Sequence, residues 1–215
     1  MANPGSIPMA AVFRLSLYLR ELTEFQKAGV KTVSSLRLST GLGLTDVRVR
    51  KDLAYFGQFG YPGVGYRVDE LITELKRILG TDRVWDVVLI GCGNLGSALA
   101  AYKGFRRQGF RIVGVFDIDP KKVGRRVGEL TIQPMEELSK TTARTGARVG
   151  IISVPADQAQ KVADQLVAAG IRGILNFACT ALATPANVVE NSVNLAIRLE
   201  QLTFQLRSLV QDSGA

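Results

Sequence analysis

Val87-Val88-Leu89-Ile90-Gly91-Cys92-Gly93-Asn94-Leu95-Gly96 is the stretch on which the fold of this chain turns. Four apolar residues with strand character run into a G-x-G-x-x-G spacing, and a helical pattern, Leu95 to Lys103, follows at once. A Gly-rich hexapeptide alone is weak, because it arises often by chance. Placed after a strand and at the opening of a helix, it is the arrangement in which small residues let a pyrophosphate approach backbone N–H groups at a helix N-terminus. A second apolar run, Arg111 to Phe116, ends at Asp117, roughly 20 residues beyond the glycines, where a carboxylate accepts hydrogen bonds from ribose hydroxyls. An acid there opposes a 2′-phosphate, so NAD(H) is expected over NADP(H), with Lys121, Lys122, Arg125 and Arg126 nearby to soften the preference.

Downstream the texture persists, short apolar strands alternating with helices, as in a parallel sheet with crossovers. Strands are expected at Val87 to Ile90, Arg111 to Phe116, Leu130 to Ile132, Val149 to Ser153, Gly173 to Asn176 and around Val193. Helices are expected at Leu95 to Lys103, Met135 to Lys140 and Ala156 to Ala169. Ser153-Val154-Pro155 and Asn176-Phe177-Ala178-Cys179 then fall at the carboxyl edge of the sheet, where a nicotinamide lies. The expected cofactor contacts are Gly91, Gly93, Asn94, Leu95, Gly96, Asp117, Ile118, Val154, Asn176 and Phe177. Leu195, Leu199, Leu202, Leu206 and Leu209 close the chain as an a/d seam with Ile197 and Phe204 alongside, a pattern for helix pairing.

Upstream, the chain between Phe25 and Val68 is markedly basic: Lys27, Lys31, Arg37, Arg48, Arg50, Lys51 and Arg67, opposed by Asp46 and Asp52. Before it, Val12, Leu15, Leu19 and Leu22 mark an amphipathic helix closed by Gly29, with Arg14 and Arg20 off its apolar stripe and free to reach a partner. Thr32-Val33-Ser34-Ser35 offers capping hydroxyls for a short helix that Gly41-Leu42-Gly43 breaks, and Thr45 starts another that runs to about Phe56. Two short helices about a glycine-containing turn, the second basic, fit helix-turn-helix geometry. Phe59 to Val68 alternates turn formers with aromatic and β-branched residues, as a two-stranded wing does, and Glu70 to Leu79 is a final helix. The expected DNA contacts are Arg48, Arg50 and Lys51, reaching bases or phosphates, with Ser34, Ser35 and Thr45 from the helix starts and Arg67 from the wing. Tyr55 and Phe56 are expected to pack.

These segments divide the chain into a winged-helix DNA-binding domain at 1–80, a Rossmann domain of doubly wound α/β class at 81–192 and a dimerisation helix at 193–215. Net charge is +8, from 27 Lys and Arg against 19 Asp and Glu, which favours a polyanionic partner. Histidine is absent, and the two cysteines, Cys92 and Cys179, are far apart, so neither a zinc site nor a disulfide framework is expected. Met1 to Ser6 lacks the start of an export signal, and no apolar run approaches about 18 residues, so a cytoplasmic, non-membrane chain is expected. The lack of histidine also removes the commonest proton shuttle of a dehydrogenase, although a Lys or Ser could serve. An NAD-dependent oxidoreductase with a basic N-terminal appendage therefore stays open beside a DNA-binding sensor.

Tyr18-Leu19-Arg20, Val49-Arg50-Lys51-Asp52-Leu53-Ala54-Tyr55-Phe56-Gly57, Gly63-Val64-Gly65-Tyr66, Gly91 to Gly96 and Gly173-Ile174-Leu175-Asn176-Phe177 occur in an order that closely resembles the Rex family of bacterial redox-sensing transcriptional repressors. The resemblance runs through nearly the whole chain. It implies a homodimer with an N-terminal winged helix, a Rossmann domain and a C-terminal helix swapped onto the partner. It also implies repression from palindromic double-stranded operator DNA while NAD+ dominates, and release when NADH binds. By position Arg50 and Lys51 resemble the DNA-reading bases, Tyr102 the aromatic residue that senses the nicotinamide, and Arg20 the arginine that reaches an acidic residue of the other subunit. This chain departs from the pattern in placing Asn194 at that acidic position, Tyr61-Pro62 in the wing where basic residues are common, and Cys179 where proline is usual.

Overall fold

Two units divide the chain between Arg83 and Val84 in a computed structural model that describes residues 7–212, with side chains for 7–207. Met1 to Ser6, part of the expected cytoplasmic start, and the Leu209 side chain of the expected seam lie outside the described residues. The first unit holds α1 (Met9–Lys27), β1 (Thr32–Val33), α2 (Ser35–Thr40), α3 (Asp46–Ala54), β2 (Gly60–Tyr61), β3 (Gly65–Arg67) and α4 (Val68–Leu79). The residues that α1 buries are Ala11, Leu15, Tyr18 and Leu22, whereas Val12 and Leu19 are half-buried. The apolar stripe thus sits slightly round the helix from the expected one. Tyr18 can join the core because its hydroxyl finds a buried partner.

Thr32-Val33 does not cap α2. These two residues form β1, antiparallel to β3 with Thr32 opposite Arg67 and Val33 opposite Tyr66, as suits a β-branched pair. Ser34 alone caps α2, its Oγ accepting the Arg37 N–H at 3.1 Å, and the Thr45 Oγ1 caps α3 by accepting the Arg48 N–H at 3.2 Å. The wing is present, with β2 and β3 paired antiparallel. Leu15, Tyr18 and Leu22 pack with Leu38, Val49, Leu53, Tyr66, Val68, Leu71 and Leu75, so every helix of the unit contributes to one core.

The second unit is built on β4 (Trp85–Ile90), β5 (Phe110–Asp117), β6 (Arg126–Val127), β7 (Leu130–Pro134), β8 (Val149–Ile152), β9 (Gly173–Asn176) and β10 (Val189–Ser192). Between them lie α5 (Asn94–Ala101), α6 (Lys103–Arg107), α7 (Leu138–Thr145, entered by a 3-10 turn at Met135–Glu137) and α8 (Ala156–Ala168), and α9 (Leu195–Asp212) follows β10. The strand order is β10-β9-β8-β4-β5-β7-β6, parallel throughout except for the short edge strand β6. Without β6 this is the doubly wound order, reversing direction at β4 and β8. Val88 and Ile90 face a core shared with Phe116, Leu138, Val162 and Leu166, while Val87 and Leu89 face another with Val115, Ile132 and Ile151. Burial on both faces explains why β4 reads as an unbroken apolar run.

Three segments differ from expectation. The expected helix Leu95 to Lys103 ends at Ala101 and restarts as α6, with Tyr102 extended between them and its ring edge-on to Phe105, 5.2 Å between centroids. The helix α7 extends beyond Lys140 to Thr145, its Thr141 and Thr142 buried, and the Thr142 hydroxyl donates to the Ala169 carbonyl at 2.8 Å. β-branched threonines had masked its period. The last strand is Val189–Ser192, and Val193 follows it.

Candidate cofactor pocket and nucleic-acid interface

Where the strand order reverses, a cavity of about 690 Å³ opens above the carboxyl ends of β4, β5 and β8. Its floor is the glycine turn. Gly91 has φ +92°, and a Cβ there would stand 2.6 Å from the Ser153 carbonyl oxygen; a Cβ on Gly96 would stand 1.9 Å from the Gly91 oxygen. Neither position admits a side chain, since strand end, turn and helix start touch backbone to backbone. Ser153 ties the two loops together, its Oγ donating to the Gly91 carbonyl at 2.8 Å. A Cβ on Gly93 would meet nothing within 4 Å, so the N-terminal end of α5 is open where a phosphate would approach.

Asp117, at the end of β5, is only 5% exposed. Its Oδ2 accepts the Cys92 N–H at 2.7 Å and the Lys122 Nζ at 3.0 Å, and its Oδ1 accepts the Asp119 N–H at 2.9 Å. Burial pushes the carboxyl up, but the two N–H donors and the Lys122 ammonium outweigh it and hold Asp117 below the usual carboxylate range. The residue therefore braces the glycine turn as well as lining the cavity. Ile118, Val154, Pro155 and Met135 give apolar walls for a base, and Phe177 belongs to the same lining. Gln158, Lys161 and Gln165 from α8, a polar face at steps of three and four that the sequence had not announced, line it too, along with the carboxylates of Asp119 and Glu136. A dinucleotide fits this donor set: open N–H groups for the pyrophosphate, a carboxylate and an ammonium at the ribose end, and apolar walls for the rings.

Of the expected cofactor residues, Gly91, Gly93, Asn94, Leu95, Asp117, Ile118, Val154 and Phe177 line this cavity, and Gly96 supports it from behind. Asn176 and Tyr102 are not among the lining residues. Asn176 is fully buried, its Nδ2 donating to the Thr180 carbonyl at 2.8 Å and its Oδ1 accepting the Ala178 N–H at 2.9 Å, so it shapes the loop that carries Phe177. Tyr102 is 58% exposed at the break between α5 and α6. Cys92 is buried, Cys179 is exposed, and no group of residues able to hold a metal occurs among the described residues.

In the first unit Arg48 and Lys51 are exposed on α3, in its first and second turns, while Arg50 is held by Asp46 at 2.5 Å and by the Ser35 hydroxyl at 2.9 Å. Ser34 and Thr45 are exposed, their hydroxyls engaged as caps. Arg67 is engaged more than expected: it pairs with Glu70 at 2.8 Å and lies over the Tyr61 ring, 4.6 Å from its centroid. Tyr55 is exposed rather than packed, whereas Phe56 packs against the core. One expectation is corrected outright. Arg14 does not reach outward to a partner, and Asp52 is not a surface charge: Arg14 Nε and Nη2 donate to the two Asp52 oxygens at 2.5 and 2.7 Å, and Tyr18 adds its hydroxyl at 2.7 Å. A partner 38 residues away leaves no mark in local periodicity.

Arg20 is exposed on α1. Asn194 caps α9, its Oδ1 accepting the N–H of Ala196 at 2.9 Å and of Ile197 at 3.2 Å. Along α9, Leu195, Ile197, Leu199, Leu202, Phe204 and Leu206 are all exposed, an apolar length far beyond the scattered residues of an ordinary surface. No described helix is long and apolar enough to cross a membrane.

Two family models match, one described as a putative DNA-binding protein N-terminus over residues 6–54 and one as a CoA binding domain over residues 82–180. The redox-sensing transcriptional repressor Rex of Carboxydothermus hydrogenoformans is 50% identical over 94% of this chain and 97% of its own length. That of Pelotomaculum thermopropionicum is 48% identical over 97% of this chain and 98% of its own. Among solved structures, RSP in complex with beta-NAD+ and operator DNA superposes with a TM-score of 0.89 at 38% identity, covering 96% of this chain and 95% of that one. RSP with beta-NADH gives 0.86 at 36% identity, covering 97% and 98%. These relatives are repressors rather than oxidoreductases, and at such identity over nearly full length the chain belongs to the Rex family of redox-sensing transcriptional repressors.

Proposed function

We infer that this chain is a cytoplasmic, non-enzymatic repressor that binds palindromic operator DNA as a homodimer and leaves it when NADH replaces NAD+. The observation that carries the reading is one polypeptide holding both a winged helix with an exposed basic face on α3 and a doubly wound unit with a dinucleotide-shaped cavity. Its superposition on a relative solved with both NAD+ and operator DNA supports the coupling. Arg48, Arg50 and Lys51 read the major groove, and Arg67 reaches a phosphate by giving up Glu70. Ser34 and Thr45 cap the two helices and so set the position of α3 on the duplex, and the Ser35 hydroxyl accepts from Arg50 beside them.

Gly91 to Gly96, Asp117 and Ile118 hold the parts that both cofactor forms share. NAD+ and NADH differ in nicotinamide charge and ring planarity, so discrimination falls to the ring end, at Phe177 and Val154, with Tyr102 joining from outside the cavity as the family resemblance implies. A ligand shifts an equilibrium only by its differential affinity, and a swing from mostly bound to mostly free takes roughly 10²- to 10⁴-fold discrimination. The apolar face Leu195, Leu199, Leu202 and Leu206 pairs with a second copy, and two-fold symmetry then sets half-sites about one or more helical turns apart. Asn194, where the family places an acid, offers Arg20 of the other subunit at most a neutral hydrogen bond, because its Oδ1 is already engaged as the α9 cap.

The test is titration of operator-like DNA by fluorescence anisotropy at fixed salt with NAD+, NADH or neither. Tight binding with NAD+ and weak binding with NADH is expected, and equal affinity in all three overturns the sensor reading. Lys51→Ala should abolish specific binding and leave NADH affinity unchanged; loss of both would indicate misfolding.

A further inference from the structure

Asp52 sits in the last turn of the basic helix α3, next to Lys51 and one turn beyond Arg48, yet it is 1% exposed. A carboxylate there would repel phosphates if it faced them. It faces α1 instead, where Arg14 and Tyr18, one helical turn apart, converge on it with three hydrogen bonds of 2.5 to 2.7 Å. Burial alone would push Asp52 up. The Arg14 and Tyr18 donors outweigh it and hold the carboxyl below its usual range.

We propose that Arg14 and Tyr18 are positioning residues for the recognition helix: through Asp52 they set the rotation of α3 about its own axis, and with it DNA sequence discrimination. The inference rests on α3 being the DNA-reading helix. Its apolar anchors are Val49 and Leu53, four residues apart and therefore on one stripe. A single stripe fixes where a nine-residue helix lies, but it resists rolling poorly. Asp52 lies about 100° round the helix from Leu53, so a bond there supplies the missing second line of contact. The bond must also be directional. A bidentate guanidinium–carboxylate pair is planar and tolerates little twist, which an apolar substitute of equal stability would not reproduce.

The consequence for DNA follows from leverage. Side-chain tips about 6 Å from the helix axis travel about 2 Å when the helix rolls by about 20°. Bidentate contacts to base edges fail over such a displacement, whereas long cations still find a phosphate. Loss of the clamp therefore removes specific binding and spares non-specific binding.

The full-length chain with NAD+ is compared with Arg14→Gln, Arg14→Lys and Tyr18→Phe on two duplexes at one salt concentration. One is the palindrome that the wild-type chain enriches from a randomised pool, and the other is a shuffled duplex of the same composition. Arg14→Gln should weaken the enriched duplex by at least about 10-fold, as for one lost base contact, and leave the shuffled duplex within about twofold. Arg14→Lys keeps the charge without the planar fork and should fall between, and Tyr18→Phe should lose least. NADH titration should be unchanged in all three. Equal losses on both duplexes, or losses that track the unfolded fraction measured by circular dichroism, overturn the proposal. Arg14→Gln enriching the same sequence as sharply as wild type does so too. A wild-type chain that enriches nothing would sink the repressor reading itself, and that outcome is seen before any variant is made.

Discussion

Asp52 in the winged-helix unit and Asp117 in the nucleotide unit are the carboxylates that the described residues bury, 1% and 5% exposed, and they are satisfied by different kinds of partner. Asp52 is met by side chains of another helix, Arg14 and Tyr18, and so fixes one helix against another. Asp117 is met chiefly by the backbone N–H groups of Cys92 and Asp119, and so fixes the path of two loops. The contrast follows function. A recognition helix has to be aimed, while a phosphate-binding turn has to be shaped, and backbone donors and close glycine contacts do the shaping. Trp85, the chain's one tryptophan, lies at the start of β4 and reports unfolding of the nucleotide unit, whereas far-ultraviolet circular dichroism reports both units.

The largest effect is expected where the turn has no room. Gly96→Ala places a Cβ at 1.9 Å from the Gly91 oxygen, backbone against backbone, so the turn must open. A cost of about 3 kcal/mol or more, the upper end for overpacking, should lower the Trp85 unfolding midpoint in urea and weaken NADH binding on the order of 100-fold. DNA binding should persist without any response to NADH. If operator affinity falls in step with NADH affinity, the two units are not separable and the comparison breaks.

Asp52→Ala is next. It strips Arg14 of its partner, and because Arg14 is 19% exposed and can rehydrate, about 3 kcal/mol is expected, the low end for breaking a buried pair. Circular dichroism should show an earlier helical transition while the Trp85 midpoint holds. A shift of both by the same amount would show that the units unfold as one.

The two carboxylates were unequally legible in the sequence, for a physical reason. Asp117 is announced locally: an apolar run ends on it at the spacing from Gly91 to Gly96 that a dinucleotide requires, and the three groups that brace it, Cys92 N–H, Asp119 N–H and Lys122 Nζ, lie in the loops that follow β4 and β5. Asp52 carries no such sign. Its neighbours Arg48, Arg50 and Lys51 make it read as one charge on a solvated basic face, and the residues that bury it belong to a helix whose pattern is complete without them. Periodicity showed the strands, the helix-turn-helix and the α9 stripe because each buries or presents one continuous face. It did not show the break at Tyr102, whose ring lies where a side chain on Gly104 would stand. Nor did it show β6, two residues long between turns.

Asp117→Asn sharpens the comparison from the nucleotide side. The amide oxygen can accept one of the two N–H groups, and its NH2 then faces the other, so about 2 kcal/mol is expected from the loss of charged hydrogen bonds. The Trp85 midpoint should fall and NADH affinity with it, while circular dichroism of the winged-helix unit stays put. An unchanged NADH affinity would show that Lys122 and the backbone donors shape the turn without the charge.

The smallest effect has a pH signature that only one unit can produce. Burial and the hydrogen bond to Asp52 raise the Tyr18 phenol above its usual value near 10. A raised value in the folded chain means stability that is whole below pH about 10 and lost above it, as the unfolded chain ionises first. Asp52, held low, gives the opposite limb: its contribution is whole above pH about 4 and lost as the pH falls through the folded value. Tyr18→Phe should cost about 1 kcal/mol at neutral pH, the worth of one hydrogen bond, and should reduce the alkaline limb to the part that buried Tyr66, also raised, still supplies, while keeping the acid one. The variant should therefore approach the wild type in stability as the pH rises beyond 10, a limb to which Asp117, held low and contributing only on the acid side, adds nothing. A constant gap between the two chains from pH 7 to pH 11 would mean that the phenol's proton is not held by Asp52, and that the clamp on α3 consists of Arg14 alone.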